Sequence, residues 1–282
     1  MADIVNIAAY KFAPLTGLVE LRDDLRAFTK SRDLRGTILL AAEGINVFIA
    51  GTRGDVDALL QRIGQVPGLG ELPAKESFSE DRPFNRMLVK IKKEIIAFGV
   101  PGIDPANRPA RRLAARELKR WLDERRPVTL LDTRNNFEVA TGTFDGALAV
   151  GVDDFRDFPE AAADLPDAVR RGPVVTFCTG GIRCEKAAPL LEREGFTDVW
   201  QLDGGILKYF QECGGAHFHG QCFVFDKRVA LKPDLTPGGL AQCFVCQAIL
   251  SAREQASADY VRGKSCPRCS GQFGPGRSRP GV

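Results

Sequence analysis

Along the first hundred residues the spacing of apolar positions changes several times, and each change predicts an element. Residues 3–10 carry apolar and β-branched side chains and read as a strand. Over 15–30, Leu18, Leu21, Leu25 and Phe28 recur every three or four positions, which gives a helix one apolar face. Two short β-rich runs, 36–42 and 45–50, flank Glu43-Gly44 and predict a hairpin. Residues 55–63 are again helical, with Gly54-Asp55 as the start signal. The run 87–96, where Lys90, Lys92 and Lys93 interleave with apolar residues, reads as the closing strand. The order β-α-β-β-α-β is that of a ferredoxin-like split unit. Such a fold fixes no function by itself.

Residues 99–109 hold Gly99, Pro101, Gly102, Pro105 and Pro109, which is a linker by composition. A basic helix over 110–124 follows. Beyond it, strands at 128–131, 144–150, 174–177 and 198–202 alternate with helices at 185–194 and 206–212. That alternation predicts an α/β unit with a mostly parallel sheet covered on both faces. After 215 only short β-like pieces appear, 222–225 and 228–231, followed by turns and cysteines. The segment 271–282 is rich in Gly, Pro, Arg and Ser and reads as disordered. The expected limits are a ferredoxin-like (acylphosphatase-like) α+β domain at 1–100, a linker at 101–112, an α/β catalytic domain at 113–215, and an extension at 216–282.

Composition changes this picture little. At 282 residues two or three domains are expected, and 44% hydrophobic with 27% charged residues is ordinary for a globular chain. No apolar run approaches the roughly 18 residues that span a bilayer. Met1-Ala2-Asp3-Ile4-Val5 does not resemble a signal peptide, so no membrane partner and a cytoplasmic location are expected. The net charge of +3 points to no partner class, but its distribution is uneven. Arg111, Arg112, Arg116, Lys119 and Arg120 crowd one predicted helix. They can track nucleic-acid phosphates or form a solvated helix face.

The cysteines carry more. Val174-Val175-Thr176-Phe177 leads into Cys178, a loop of Thr179, Gly180, Gly181 and Ile182, then Arg183 and a helix starting near Cys184. Ligands of parallel sheets bind beyond the carboxyl ends of strands, where Cys178 falls. Successive loop amides and a helix N-terminus favour negative charge there. The same field lowers a thiol pKa from about 8.5 into a range of roughly 3.5 to 7.5. Arg183 adds a planar fork for an anionic group. Cys184 either resolves an oxidised Cys178 through a disulfide or opens the helix as a small apolar residue. Cys243, Cys246, Cys266 and Cys269 form two Cys-x-x-Cys pairs 19 residues apart, a spacing that closes a four-sulfur structural zinc site. Cys213, His217, His219 and Cys222 fit no common metal site and read as an ordinary segment, with a supporting redox role open for Cys222.

Cys-x4-Arg after a buried strand resembles the active-site loop of rhodanese-type sulfurtransferases; related phosphatases have one residue more. The flanks narrow the likeness: Leu131-Asp132-Thr133-Arg134-Asn135, Leu202-Asp203-Gly204-Gly205-Ile206, and Gln221-Cys222-Phe223-Val224-Phe225-Asp226-Lys227-Arg228. Together these resemble the bacterial tRNA uridine hydroxylase family over about residues 1–230. The resemblance implies a rhodanese-like central domain with Cys178 and Arg183 catalytic, and Asp132 and Arg134 supporting the loop or orienting substrate. It implies oxygen-dependent 5-hydroxylation of the wobble uridine, with tRNA as partner and molecular oxygen as co-substrate. No organic cofactor is expected. A sulfurtransferase carrying a persulfide on Cys178 is the alternative. A non-catalytic RNA-binding module is a third reading, opposed by the intact Cys178, Gly181 and Arg183.

Overall fold

The computed structural model describes residues 4–271, so the expected tail lies, from 272 on, outside the described residues. The N-terminal part runs β1 (Ile4–Phe12), α1 (Leu18–Ser31), β2 (Arg35–Ala41), β3 (Gly44–Gly51), α2 (Arg53–Gly64), β4 (Lys75–Ser79) and β5 (Met87–Ile91). Its sheet has the order β4-β1-β3-β2-β5, antiparallel throughout except for β5 against β2. The β-α-β-β-α-β order holds, but a different strand closes it. β4 pairs with β1, whereas the run expected to close the unit is shorter and lies on the far edge. β4 reads Lys-Glu-Ser-Phe-Ser, with its one large apolar side chain exposed, so it shows no apolar alternation.

Period-two alternation gives the two faces of this sheet different tasks. Val5, Ile7 and Ala9 of β1 pack with Ile38, Leu40, Val47 and Ile49 under the helices, where Leu25, Val56, Leu59 and Ile63 meet them. Asn6, Ala8 and Tyr10 point the other way, toward the second part of the chain. Thr52 caps α2 by accepting the Asp55 N–H at 3.3 Å.

The central part contains β6 (Arg112–Leu113), α3 (Ala115–Asp123), β7 (Thr129–Asp132), α4 (Asn136–Val139), β8 (Gly142–Phe144), β9 (Leu148–Ala149), α5 (Phe158–Ala163), α6 (Asp167–Arg171), β10 (Pro173–Phe177), α7 (Cys184–Arg193), β11 (Asp198–Leu202) and α8 (Gly205–Cys213). Five strands form a parallel sheet in the order β6-β11-β10-β7-β9. Neighbouring residues serve opposite faces: Leu130 and Val175 enter one apolar cluster, Leu131 and Val174 the other. Burial on both sides is what a parallel sheet requires.

Three boundaries differ from expectation. The linker set at 101–112 ends inside the sheet, with Arg112 paired to Gln201, and the basic helix starts at Ala115 rather than 110. The linker is also docked: Ile103 packs against the apolar cluster that contains Phe155 and Phe158, and Arg193 donates to the Pro101 carbonyl at 3.1 Å. The single strand expected at 144–150 is split into β8 and β9.

The extension holds the lone strand β12 (Phe218–Gly220), a hairpin of β13 (Cys222–Phe223) and β14 (Ala230–Leu231), a second of β15 (Ala241–Gln242) and β16 (Ile249–Leu250), and a short α9 (Ala252–Gln255). β12 pairs with β8 and so ties the extension to the central part. No helix among the described residues is long and apolar enough to cross a membrane.

Buried polar contacts lock the first two parts together. Lys186 Nζ, on α7, donates to Glu43 at 2.9 Å, to Glu94 at 2.7 Å and to the Ile96 carbonyl at 3.2 Å. Tyr10 Oη donates to Glu185 at 3.0 Å. From the extension, Arg228 donates to Ser77 Oγ at 2.7 Å.

Candidate active site

β10 ends at Phe177 and delivers Cys178 to the rim of the parallel sheet. The turn that follows is bent by Gly181, whose φ of +96° is costly for any other residue. Gly205 (φ +66°) closes the turn from below: a Cβ there would fall 2.4 Å from the Cys178 carbonyl oxygen and 2.7 Å from the Gly181 nitrogen. The first turn of α8 fixes the loop carbonyls, with Ile206 N–H donating to Cys178 O and Leu207 N–H to Thr179 O, both at 3.0 Å. With its carbonyls held outward, the loop can turn amides inward. Gly181 N–H donates to Cys178 Sγ at 3.1 Å.

Cys178 is buried. Burial alone pushes its thiol up, yet hydrogen bonding from Cys184, the Arg183 charge and the amides of Arg183 and Gly181 bring it from 9.0 down to about 6. Cys184 moves the opposite way, raised by burial and by its neighbour Cys178. The environment therefore favours loss of the proton from Cys178 over loss from Cys184. Cys222 is also buried, and burial pushes it up to about 12, an inert thiol.

Arg183 stands where the sequence places it, but its fork is already used. It forms a two-pronged pair with Glu138, at 2.6 and 2.7 Å, with both side chains buried. Burial pushes the Glu138 carboxyl up, and the Arg183 guanidinium more than reverses this. Arg183 thus acts as a fixed charge beside the thiolate instead of an open clamp for a substrate anion. Asp132 and Arg134 form a second fully buried two-pronged pair, at 2.9 and 2.6 Å. Arg134 also donates to the Gly142 carbonyl at 2.6 Å, which braces the loop from behind.

A cavity of about 440 Å³ lies over Cys178. Its floor is the cysteine loop, one wall is the helix-free face of the N-terminal sheet, and another is the segment from Val224 to Arg228. Sequence reasoning missed Tyr10 and Lys75 here. The Tyr10 hydroxyl sits so close to Gly181 that a Cβ would meet it at 2.9 Å. The Lys75 ammonium lies 4.6 Å from the Tyr10 ring centre, and burial lowers its pKa. Both come from strands far from the cysteine in sequence, so no local signal could place them.

The expected basic surface is largely neutralised. Arg111 pairs with Asp198 and lies over the Trp200 ring at 4.3 Å; Arg112 meets Glu185 at 2.8 Å; Lys119 meets Asp123 at 2.7 Å; Arg120 pairs with Glu117. Arg116, 3.8 Å from Glu212, is the most open of them. His217 and His219 bond Asp123 and Asp145, at 2.7 and 3.0 Å, and among the described residues join no metal-capable group. The sulfurs of Cys243, Cys246, Cys266 and Cys269 all lie within 4.8 Å of one another.

A buried cysteine loop at the end of the middle strand of a covered parallel sheet gives the central part the architecture of a rhodanese-like domain. The sequence family described as a rhodanese-like domain matches residues 114–212, and the UPF0176 acylphosphatase like domain matches residues 4–95. A tRNA uridine(34) hydroxylase from Cupriavidus necator is 50% identical over 95% of this chain and 97% of that protein. One from Burkholderia thailandensis is 50% identical over 94% and 93%. Among solved structures, a rhodanese-like domain from Anabaena sp. is 26% identical and covers 39% of this chain and 78% of that one, with a TM-score of 0.33. The chain belongs to the tRNA uridine(34) hydroxylase family.

Proposed function

We propose that this chain hydroxylates uridine 34 of tRNA at C5, with molecular oxygen as co-substrate and the Cys178 thiolate as the reacting group. The observation that carries this is the depressed Cys178 thiol at the floor of a cavity closed by all three parts of the chain. Residue 34 of tRNA lies in a single-stranded loop, so its base can enter such a pocket without opening a duplex. The volume is in the range of about 300–1,000 Å³ that suits one small ligand. Tyr10, Phe84 and Phe225 offer aromatic surface against which a pyrimidine can stack. Cys178 then either adds to the ring to activate C5 or carries an oxidised sulfur, and both routes begin from the thiolate. Arg183, Gly181 and Cys184 hold that thiolate. Asp132, Arg134 and Glu138 position them.

The four clustered cysteines suit a structural zinc. A tetrahedral site with Zn–S near 2.3 Å requires sulfurs about 3.8 Å apart. Cys243 and Cys269 are 3.9 Å apart, Cys266 and Cys269 3.6 Å, and Cys246 and Cys266 3.5 Å, all far beyond a disulfide. A zinc there would fasten the extension and leave no open position for chemistry. The working units are the N-terminal domain, the docked linker up to β6 at Arg112, the central domain and the extension after 215, acting in the cytoplasm where tRNA is found.

The test is a nucleoside analysis by mass spectrometry of tRNA carrying an unmodified uridine 34, incubated with the purified protein with and without oxygen. 5-Hydroxyuridine formed only with oxygen supports the proposal. Sulfur transfer from thiosulfate without any 5-hydroxyuridine would assign the site to persulfide chemistry.

A further inference from the structure

Resting on that reading, we propose that a groove running from the Cys178 cavity to the four-cysteine knuckle binds the single-stranded nucleotides next to the target uridine. The groove encloses about 1250 Å³ and shares Phe84, Val224, Phe225 and Asp226 with the cavity over Cys178, so the two adjoin across these residues. Like the cavity, it exists only where all three parts of the chain meet. β2 and the segment before β5 form one side, Val224 to Val229 the floor, and the Cys-x-x-Cys knuckle with Tyr260 and Arg262 the other.

Two features fit single-stranded RNA. The first is aromatic. Phe225 is 55% exposed and Phe244 is 62% exposed, and both lie in this one groove. Exposing a phenyl ring to water is unfavourable, and a nucleobase laid against it removes that surface whatever its identity. Phe244 sits between Cys243 and Cys246, so the knuckle that fastens the extension also fixes this ring.

The second is charge. Arg86, Lys227 and Arg262 line the groove, and none forms an ion pair among the described residues. Of the groove's two acids, Asp226 is neutralised by Arg228 at 2.6 Å, while Asp153, which accepts from the Asn136 amide at 2.9 Å, keeps its charge, so the three cations face one unpaired carboxylate. The net field is therefore positive where the aromatic surface is open. On α3 the position is reversed, since most of its cations already sit against carboxylates. Free cations interleaved with exposed rings are the pattern of single-strand binding.

The experiment is fluorescence anisotropy with a labelled tRNA anticodon stem-loop, using the full-length, zinc-loaded protein at several salt concentrations. Phe244→Ala should weaken binding roughly tenfold, as loss of one stacked base does. Arg262→Glu should weaken it and lower the log–log salt slope by about 0.7 per lost phosphate contact. An abasic nucleotide beside residue 34 should cost wild type as much as Phe244→Ala does and cost that variant little more. Zinc content equal to wild type shows that each variant is folded. Reversing Arg116 and Lys119 to glutamate is the control and should change the affinity less than twofold. If both groove variants bind as wild type does while wild type still forms 5-hydroxyuridine, the groove is not the RNA path. If reversal on α3 is the change that weakens binding, the RNA crosses that helix and the groove proposal is overturned. If wild type forms no 5-hydroxyuridine at all, the hydroxylase reading fails first and the groove assignment with it.

Discussion

Two sites in this chain are built from cysteine, and they solve the problem of negative charge in opposite ways. Cys178 is a single buried thiol whose charge is met by backbone amides, a protonated neighbour and one fixed guanidinium. The knuckle gathers four sulfurs within 4.8 Å; amides reach them too, Cys266 N–H donating to Cys269 Sγ at 3.4 Å, but among the described residues no buried arginine pairs with them. Partial charges from amides can hold one thiolate, whereas four adjacent thiolates need a divalent cation. The first arrangement leaves the sulfur open to react; a zinc held by the second would take all four sulfurs as ligands and leave no open position. Reactivity here depends on where the positive charge comes from, more than on the cysteine itself.

The widest separation between the sites should come from serine. Cys178→Ser is nearly isosteric, so the loop should remain closed, but a hydroxyl has almost no anion at neutral pH and cannot pass through oxidised sulfur states. Hydroxylation should fall roughly a thousandfold or more, to background, while tRNA affinity stays within a few-fold because phosphate contacts carry most of it. Formation of 5-hydroxyuridine by this variant at the wild-type rate would show that the thiol is not the reacting group.

The knuckle should respond in structure before chemistry. Replacing both Cys243 and Cys269 with serine should abolish binding of about one zinc per chain and make the segment beyond Leu231 sensitive to protease, since structural zinc contributes folding free energy directly. The Cys178 thiol should still alkylate as in wild type. A tail that stays protected without metal would refute the zinc assignment.

How far each site was legible follows from how local it is. The Cys178 loop and the two Cys-x-x-Cys pairs are short-range patterns, and the structure assembles both as their spacing implies. The parallel sheet was readable from alternating elements with apolar runs. What was not readable depends on contacts distant in sequence. Tyr10 and Lys75 reach the cysteine only because β1 and β4 are paired and turn their helix-free face to α7. The partner of Arg183 was hidden for the same reason: Glu138 lies 45 residues earlier, and its place in the first turn of α4, where it accepts the Asn135 N–H, gives no hint that it will take up the fork. β4 escaped notice because its inward residues are polar.

Arg183→Lys tests the source of charge at the reactive site. A single ammonium cannot reproduce the two-pronged contact with Glu138 in this buried place, so stability should fall by roughly 1–3 kcal/mol, less than the 3–5 kcal/mol of outright charge removal. The effect on the thiol has a definite sign. Cys178 titrates at about 6, so its alkylation should rise with pH through that value and be lost below it. In the variant the cation is less fixed, the thiolate less favoured, and the midpoint should move upward. A midpoint that does not move would leave the amides as the main support.

Cys184→Ser should have the smallest effect, and it distinguishes the two roles that its sequence position allows. Burial and the adjacent Cys178 keep the Cys184 thiol protonated, and it lies within 3.7 Å of the Thr133 hydroxyl. If its task is to donate a hydrogen bond to the Cys178 thiolate, a serine hydroxyl performs that task at least as well. Turnover should then change by no more than about threefold, and the alkylation midpoint of Cys178 should shift little. A resolving cysteine behaves differently, because serine cannot form a disulfide with oxidised Cys178. In that case multiple turnover should collapse nearly as far as in Cys178→Ser while a first turnover survives. Comparing single-turnover with steady-state formation of 5-hydroxyuridine separates these outcomes.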